Sequence, residues 1–311
     1  SIVADYAEII GLDVKLTRNS ANEPLNIQPI IDRLKGDDDK KEPISFDARI
    51  NTVVIRNSSF SYDVIANDST PNIFNPSHIK VNGFRADINV PKLTNGTYHV
   101  NLRRLAFHEQ SGFDLNNLQA HLLFSPDSIG WSDLEIKLPT SSYHVADAGL
   151  PLKDSDIIQA ITVNSVSLKI DGDTYLPDFA PFLPELDDLD MEIMTRLKAS
   201  GSLNKININE INLADKEGDF SINIADAEVH DFDNIEDFTY NINRFSVHAG
   251  GPLSSRLHRN GLLKFKKPEI IKELAIIGSA KGDAYHGDIN GAASLNDGSL
   301  KIKGNYRRQS L

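Results

Sequence analysis

Ile206, Ile208, Ile211 and Leu213 fall at i, i+2, i+5 and i+7 within KININEINL at 205–213, and this spacing constrains the chain more than any other feature. A strand points alternate side chains to opposite faces, so a strict period of two sends Ile211 away from Ile208. Both pairs share a face only if one extra residue is accommodated between them, as at a β-bulge. Asn209 stands at that place, and Asn accepts compact and left-handed backbone conformations that β-branched residues resist. The arrangement returns as Ile79, Val81, Phe84, Ala86 around Asn82 and as Phe113, Leu115, Leu118, Ala120 around Asn116. It returns again as Ile161, Val163, Val166, Leu168 around Asn164 and as Tyr240, Ile242, Phe245, Val247 around Asn243. Val100, Leu102, Leu105 and Phe107 carry the same spacing with Arg103 at the bend.

Each copy spans roughly 26 Å of strand at about 3.3 Å per residue. Side by side, such strands make an all-β fold: an elongated, strongly curved antiparallel sheet with a greasy concave side and one or two short helices. Spacing alone leaves two outcomes for that side. It is either an open trough or the dry core of a β-sandwich.

A chain of 311 residues has room for one large β domain or two smaller ones. Its net charge of −12 argues against nucleic acid and anionic lipid surfaces, both of which reward Lys and Arg. There is no Cys, which removes disulfides, thiolate metal sites and Cys nucleophiles. No run approaches the roughly 18 apolar residues of a membrane span, and residues 1–10 are not a signal peptide. Starting at Ser1 inside an apparent strand, the chain reads as a piece of a longer protein, with any anchor outside it.

Along the chain, residues 9–17 read as a strand and 25–35 as a short helix, with Ile27, Ile30, Ile31 and Leu34 on one face. Residues 36–43 form a charged linker, so 1–43 make a first segment of strand, helix and linker. From 44 to 175 strands follow one another with short polar connections, a meander best explained by local antiparallel pairing. A short helical crossing is expected in 150–160, before a strand at 161–170. The stretch LPDFAPFLPE at 176–185 holds three prolines and cannot be an interior strand. It reads as an apolar plug that docks Phe179, Phe182 and Leu183 on the sheet end, and it opens a second β segment over 176–311.

Catalytic constellations are thin. No GxSxG, GxGxxG, phosphate loop or HExxH occurs, and the nine His are scattered singly. Asp171, Asp173, Asp187, Asp188 and Asp190 lack EF-hand spacing and suit turns and caps better than calcium. The expectation is a protein without enzyme activity, cofactor or metal.

LAFHEQSGF at 105–113, DLNNLQAHL at 114–122 and WSDLEIKLP at 131–139 resemble the TamB translocation and assembly modules of Bacteroidetes-type bacteria, in the AsmA-like superfamily. LTRNSANEPLNIQPIIDRLK at 16–35, INTVVIRNSSFSYDV at 50–64 and FAPFLPELDDLDMEI at 179–193 are similar to other recurrent pieces of that family. None is a catalytic signature. The resemblance implies an internal segment of a periplasm-spanning β-taco groove, anchored in the inner membrane by a segment absent from this sequence. It also implies phospholipid movement between the membranes, outer-membrane biogenesis, and an Omp85-type outer-membrane partner engaged through absent regions.

The two lines of reading meet at the bent strands. An acyl chain crossing water costs about 0.8 kcal/mol per CH₂, or roughly 12 kcal/mol for about 16 carbons, which an apolar trough largely removes. Its lining is expected from Ile79, Val81, Phe84, Val100, Leu102, Leu105, Phe107, Leu115, Leu118, Val163, Val166, Leu168, Ile206, Ile208, Ile211, Leu213, Tyr240, Ile242, Phe245 and Val247. The alternative is a scaffold that offers sheet edges to unfolded outer-membrane proteins by strand addition. A glycan-binding β protein is disfavoured, because aromatics make up 7% and Trp131 is the sole Trp.

Overall fold

The computed structural model describes residues 2–20, 23–29, 48–90, 97–153, 157–232, 237–253 and 272–307. Its first strands are β1 (Ile2–Ile10), β2 (Asp13–Arg18), β3 (Ala48–Val64), β4 (His78–Asn89), β5 (Tyr98–Glu109), β6 (Asp114–Phe124) and β7 (Ser128–Lys137). Two short strands follow, β8 (Ser142–Val145) and β9 (Ala148–Pro151), then α1 (Ile157–Val163) and β10 (Val166–Tyr175). The remainder comprises β11 (Glu192–Ser202), β12 (Lys205–Asp215), β13 (Phe220–His230), β14 (Thr239–Gly250), β15 (Glu273–Asp283), β16 (His286–Leu295) and β17 (Gly298–Arg307). Among the described residues the fold is all-β, with 17 strands in one curved sheet that does not close.

Strands β3 to β7 pair in chain order, β8 and β9 run along β7, β10 continues from β8, and β10 to β17 again pair in order. The sheet passes without interruption through the 175/176 position, because β10 and β11 pair from Val166↔Gly201 to Tyr175↔Glu192. Antiparallel pairing holds throughout except at one edge, where β1 and β2 both lie parallel to β3. Parallel neighbours need a long crossover, and β2 ends at Arg18 while β3 starts only at Ala48. Gly11, at φ 71°, lets the edge turn between β1 and β2, and its N–H donates to the Arg56 carbonyl. Ser58, 3% exposed, accepts the Leu12 N–H on its Oγ.

Midway along many strands the register slips. On β12, Ile208 pairs with Ala199 and Glu210 with Lys198, so Asn209 has no opposite number on β11. Matching slips lie between Ile242 and Phe245 on β14, between Leu102 and Leu105 on β5, and between Ile55 and Ser58 on β3. Asn57, Gly83, Asp133 and Asp226 have φ of 49°, 61°, 50° and 57°, the left-handed backbone an inserted residue takes. These extra residues lie on β3 to β7 and on β12 to β14, where they bend the strands, while β10 with β11 and β15 with β16 and β17 pair in unbroken register. In β4 the residue that adopts the strained conformation is Gly83, next to the expected Asn82, because glycine meets no Cβ penalty at positive φ.

The expected strand at 161–170 is corrected. Residues 157–163 form α1, so Ile161 and Val163 sit on a helix and β10 starts only at Val166. A run of apolar β-branched residues suits either period, and here the helical one is closed by the Asn164 N–H donating to the Ala160 carbonyl. Asn164 ends a helix instead of bending a strand. It is 6% exposed, and its Nδ2 donates to the Pro151 carbonyl at 2.7 Å and the Leu152 carbonyl at 3.2 Å. Asn164→Ala strands two acceptors and is expected to cost about 1–3 kcal/mol, read as a lower urea midpoint. Of the helix expected at 25–35, residues 30–35 lie outside the described residues; 25–29 hold a single turn closed by Gln28 N–H to Leu25 C=O. Gly282 and Gly287 lie within β15 and β16, on either side of the turn that joins them.

Candidate functional site

Register decides which side chains share a face. On β11 the alternating residues Ile193, Thr195, Leu197, Ala199 and Gly201 point one way, and opposite four of them lie Leu213, Ile211, Ile208 and Ile206 of β12. The four apolar residues of 205–213 therefore stay on one face across the bulge, while Asn209 is exposed. On β14, Tyr240, Ile242, Phe245 and Val247 oppose Val229, Ala227, Ile224 and Ile222 of β13 on that same inner face. On β4 and β5, Ile79, Val81, Phe84 and Ala86 share a face with Leu102, Leu105 and, further along, Val100 and Phe107. Leu115, Leu118 and Ala120 of β6 complete it, and Val166 and Leu168 of β10 lie opposite Gly201 and Ala199. Val163 and Ile161 are not among these. They stand on α1 at the rim, 52% and 43% exposed, although Ile161 still reaches the inner cleft described below.

Three further copies of the spacing escaped the sequence reading. Ile129, Trp131, Leu134 and Ile136 on β7 bend at Asp133, and Ile222, Ile224, Ala227 and Val229 on β13 bend at Asp226. Val53, Ile55, Ser58 and Phe60 on β3 bend at Asn57, with a serine in the third place. In the first two the Asp stands one place later than the Asn of the other copies, so accepting Asp at i+4 as well as Asn at i+3 finds them.

The concave side of the curved sheet is a trough. Val81, Ala86, Leu115, Ala120 and Ala227 are buried in it, whereas Ile206, Ile208, Ile211, Leu213, Ile222, Ile224, Ile242 and Val247 retain solvent contact. A sandwich core would bury them completely. One polar line crosses the inner face, where Tyr143 Oη lies 2.7 Å from Thr174 Oγ1, itself 2.6 Å from Thr195 Oγ1. Burial pushes the Tyr143 phenol above its usual pKa, the Thr174 hydrogen bond opposing it. The outer face is ionic. Lys198 Nζ meets Glu210 at 2.6 Å and Arg196 meets Asp171 at 2.9 Å, and each cation holds its carboxylate partner below the usual pKa.

At the rim that carries α1, the inner face deepens into an apolar cleft of about 440 Å³ lined by Ile129, Trp131, Leu150, Val166, Leu168 and Ile206. Trp131 is turned into it by donating Nε1–H to the Ala146 carbonyl. The opposite rim is strapped by two 3-10 turns, Leu176–Phe179 and Pro184–Leu186. Phe182 packs on Phe74 at 5.0 Å and Phe113 at 5.2 Å, the Phe74 N–H donates to the Pro181 carbonyl, and Asp178 accepts the Thr140 and Ser141 N–H groups. The proline-rich stretch thus lies on the sheet end as expected, although Phe182 and Leu183 are both exposed and only Phe179 is half-buried.

The loop over 65–77 at this rim is tied by His78, whose ring nitrogens meet the Asn67 carbonyl at 2.9 Å and Asp63 at 3.1 Å. The Asn67 carbonyl first, then Asp63, raise its pKa above the usual 6.5. A raised folded pKa adds stability that is complete below the unfolded value and lost as pH climbs through the folded one. Amide exchange in 65–77 is therefore expected to accelerate as the pH rises above 6.5, beyond its intrinsic pH dependence, and His78→Gln to remove that excess.

Among the described residues one group of carboxylates, Asp215, Glu217 and Asp219, clusters within 4.8 Å at the β12–β13 turn, where Asp215 accepts the Phe220 N–H. No described helix is long and apolar enough to cross a membrane. No protein-family model, curated protein or solved structure matches this chain.

Proposed function

We propose that this chain is a lipid-conducting groove segment whose trough shields acyl chains of phospholipids from water as they pass between two membranes. The observation that carries the reading is the inner face itself, which is mostly aliphatic from β3 to β14 apart from the polar line at Tyr143, Thr174 and Thr195, and many of whose aliphatic side chains retain solvent contact. Aliphatic walls grip a hydrocarbon tail without direction, so a tail slides; a site rich in hydrogen bonds would hold it in one place. The resemblance to TamB and AsmA-like proteins supports the same function, and with it a periplasmic location, inner-membrane anchorage and an Omp85-type partner through regions outside this sequence. Native mass spectrometry of the purified chain tests it: co-purifying phospholipid is expected, and a chain that stays lipid-free when offered vesicles overturns it.

A second reading, a scaffold for outer-membrane protein assembly, is favoured by one observation. β17 pairs with β16 alone among the described strands, leaving ten residues of edge open to strand addition. Crosslinks from β17 to client strands, with none from the trough to lipid, would select it.

A further inference from the structure

At the rim carrying α1, where β14 to β17 end, lies a second cleft of about 850 Å³ with a different chemistry. On its trough side are Tyr240, Gly282 and Gly287; on its outer side are Lys281, Asp288 and Arg307. The register explains the grouping. Asn241, Lys281, Asp288 and Asn305 are successive partners in one row across four strands, and His286 opposite Arg307 forms the next row outward. Two strand spacings and two residues separate Lys281 from Arg307, about 12 Å between Cα atoms, a span their long side chains bridge around a small ligand.

At two other places on the outer face opposite charges in register close on one another, Lys198 with Glu210 and Arg196 with Asp171, whereas the register partners Asp87 and Arg104 do not. Lys281 and Asp288 are register partners too, yet among the described residues they form no ion pair. Arg307 uses Nε on His286 Nε2 at 3.3 Å, which leaves its terminal nitrogens directed elsewhere. Asp283 is engaged by the turn, accepting the Tyr285 and His286 N–H groups at 2.7 Å each. Besides the turn-engaged Asp283, the cleft thus holds Lys281, Arg307 and Asp288, with no ion pair among these three, and the amides of Asn305 and Asn241, the latter donating one N–H to Asn243 Oδ1 at 3.3 Å.

We propose that this cleft binds a phosphodiester bearing an ammonium group, the phosphoethanolamine class of headgroup, with Lys281 and Arg307 on the phosphate and Asp288 on the ammonium. A guanidinium fork and an ammonium suit the phosphate oxygens, and Asn241 and Asn305 supply further donors. The glycine pair sets the opening between the two sides: a Cβ on Gly282 would meet Gly287 Cα at 2.6 Å and the His286 carbonyl at 2.2 Å. A headgroup seated here would leave its tails beside Tyr240 on the trough wall. That last step rests on the trough reading; the headgroup chemistry does not.

The test uses the full chain with a tail-less probe, glycerophosphoethanolamine, followed by NMR, with glycerophosphoglycerol and inorganic phosphate as competitors. The expected result is saturable shifts at Lys281, Asp288 and Arg307, binding weakened about tenfold or more by Lys281→Gln with Arg307→Gln, and loss of preference over glycerophosphoglycerol in Asp288→Asn. Absence of binding, equal binding in the double variant, or displacement by inorganic phosphate at the same concentration overturns the assignment. Lipid retained from mixed vesicles separates the two ideas. The double variant is expected to keep the wild-type amount of lipid but lose its bias toward ethanolamine headgroups, and an unbiased wild type overturns the headgroup site. A wild type that binds the probe and retains no lipid overturns the trough and upholds the headgroup site.

Discussion

A Gly201→Ala chain is expected to lose about 3 kcal/mol of stability, seen as a lower urea midpoint with Trp131 fluorescence as the probe. Two causes add. Gly201 has φ 130°, where an L side chain is strained by about 1–3 kcal/mol. Its new Cβ would also stand 2.0 Å from the Lys205 carbonyl oxygen and 3.2 Å from Ile206 Cα, backbone atoms of the strand it turns into. Relief requires moving β12 away from β11 at the mouth of the apolar cleft, an overpacking cost of about 1–3 kcal/mol. Gly218 separates the causes, because it has φ 80° and nothing within 4 Å of its Cβ position. Gly218→Ala should cost about 1 kcal/mol, from strain alone. Equal midpoints for the two variants would show that the close approach at Gly201 is not a constraint.

Ile208→Asp is expected to reduce co-purifying phospholipid at least tenfold while leaving the far-UV spectrum unchanged. Ile208 lies between Ala199 and Ala227 beside the bulge, pointing inward and half-exposed. Without lipid the new carboxylate stays solvated, so folding tolerates it. With a tail laid over it the charge must be desolvated, at several kcal/mol and with no described cation on the inner face beside it. Asn207→Asp, one residue away on the outer face, introduces the same charge and should leave lipid retention at the wild-type level. Equal lipid content in both variants would remove the inner face as the conducting surface.

How far the fold was legible depended on what each residue does locally. Asn209 and Asn243 announce their bends because the flanking aliphatics on one strand already imply an extra residue. Asp133 and Asp226 make equivalent bends, and they were overlooked because acidic residues in a strand suggest an exposed position rather than a backbone one. Ser58 hid the β3 copy by interrupting the apolar series, although its burial and its bond to Leu12 N–H show that it belongs to the bend. At 161–168 the sequence permits both periods, and the choice was made by Asn164, whose amide finds the Pro151 and Leu152 carbonyls only when 157–163 is helical. The headgroup cleft left no trace in any single segment, since Lys281, Asp288 and Arg307 belong to three strands.

Local spacing was enough to determine that strands of this chain bend and which side chains each carries across its bend, because the strand repeat and the extra residue are properties of eight consecutive positions. Whether those faces would meet a second layer or remain open depended on how seventeen strands stack. The bends fall on β3 to β7 and on β12 to β14, and the strands between and beyond them pair in unbroken register, giving one curved sheet that does not close among the described residues. The parallel edge, the strap over one rim and the charged corner at the other arise from pairings between residues distant in the chain, and only the tertiary structure brings those together.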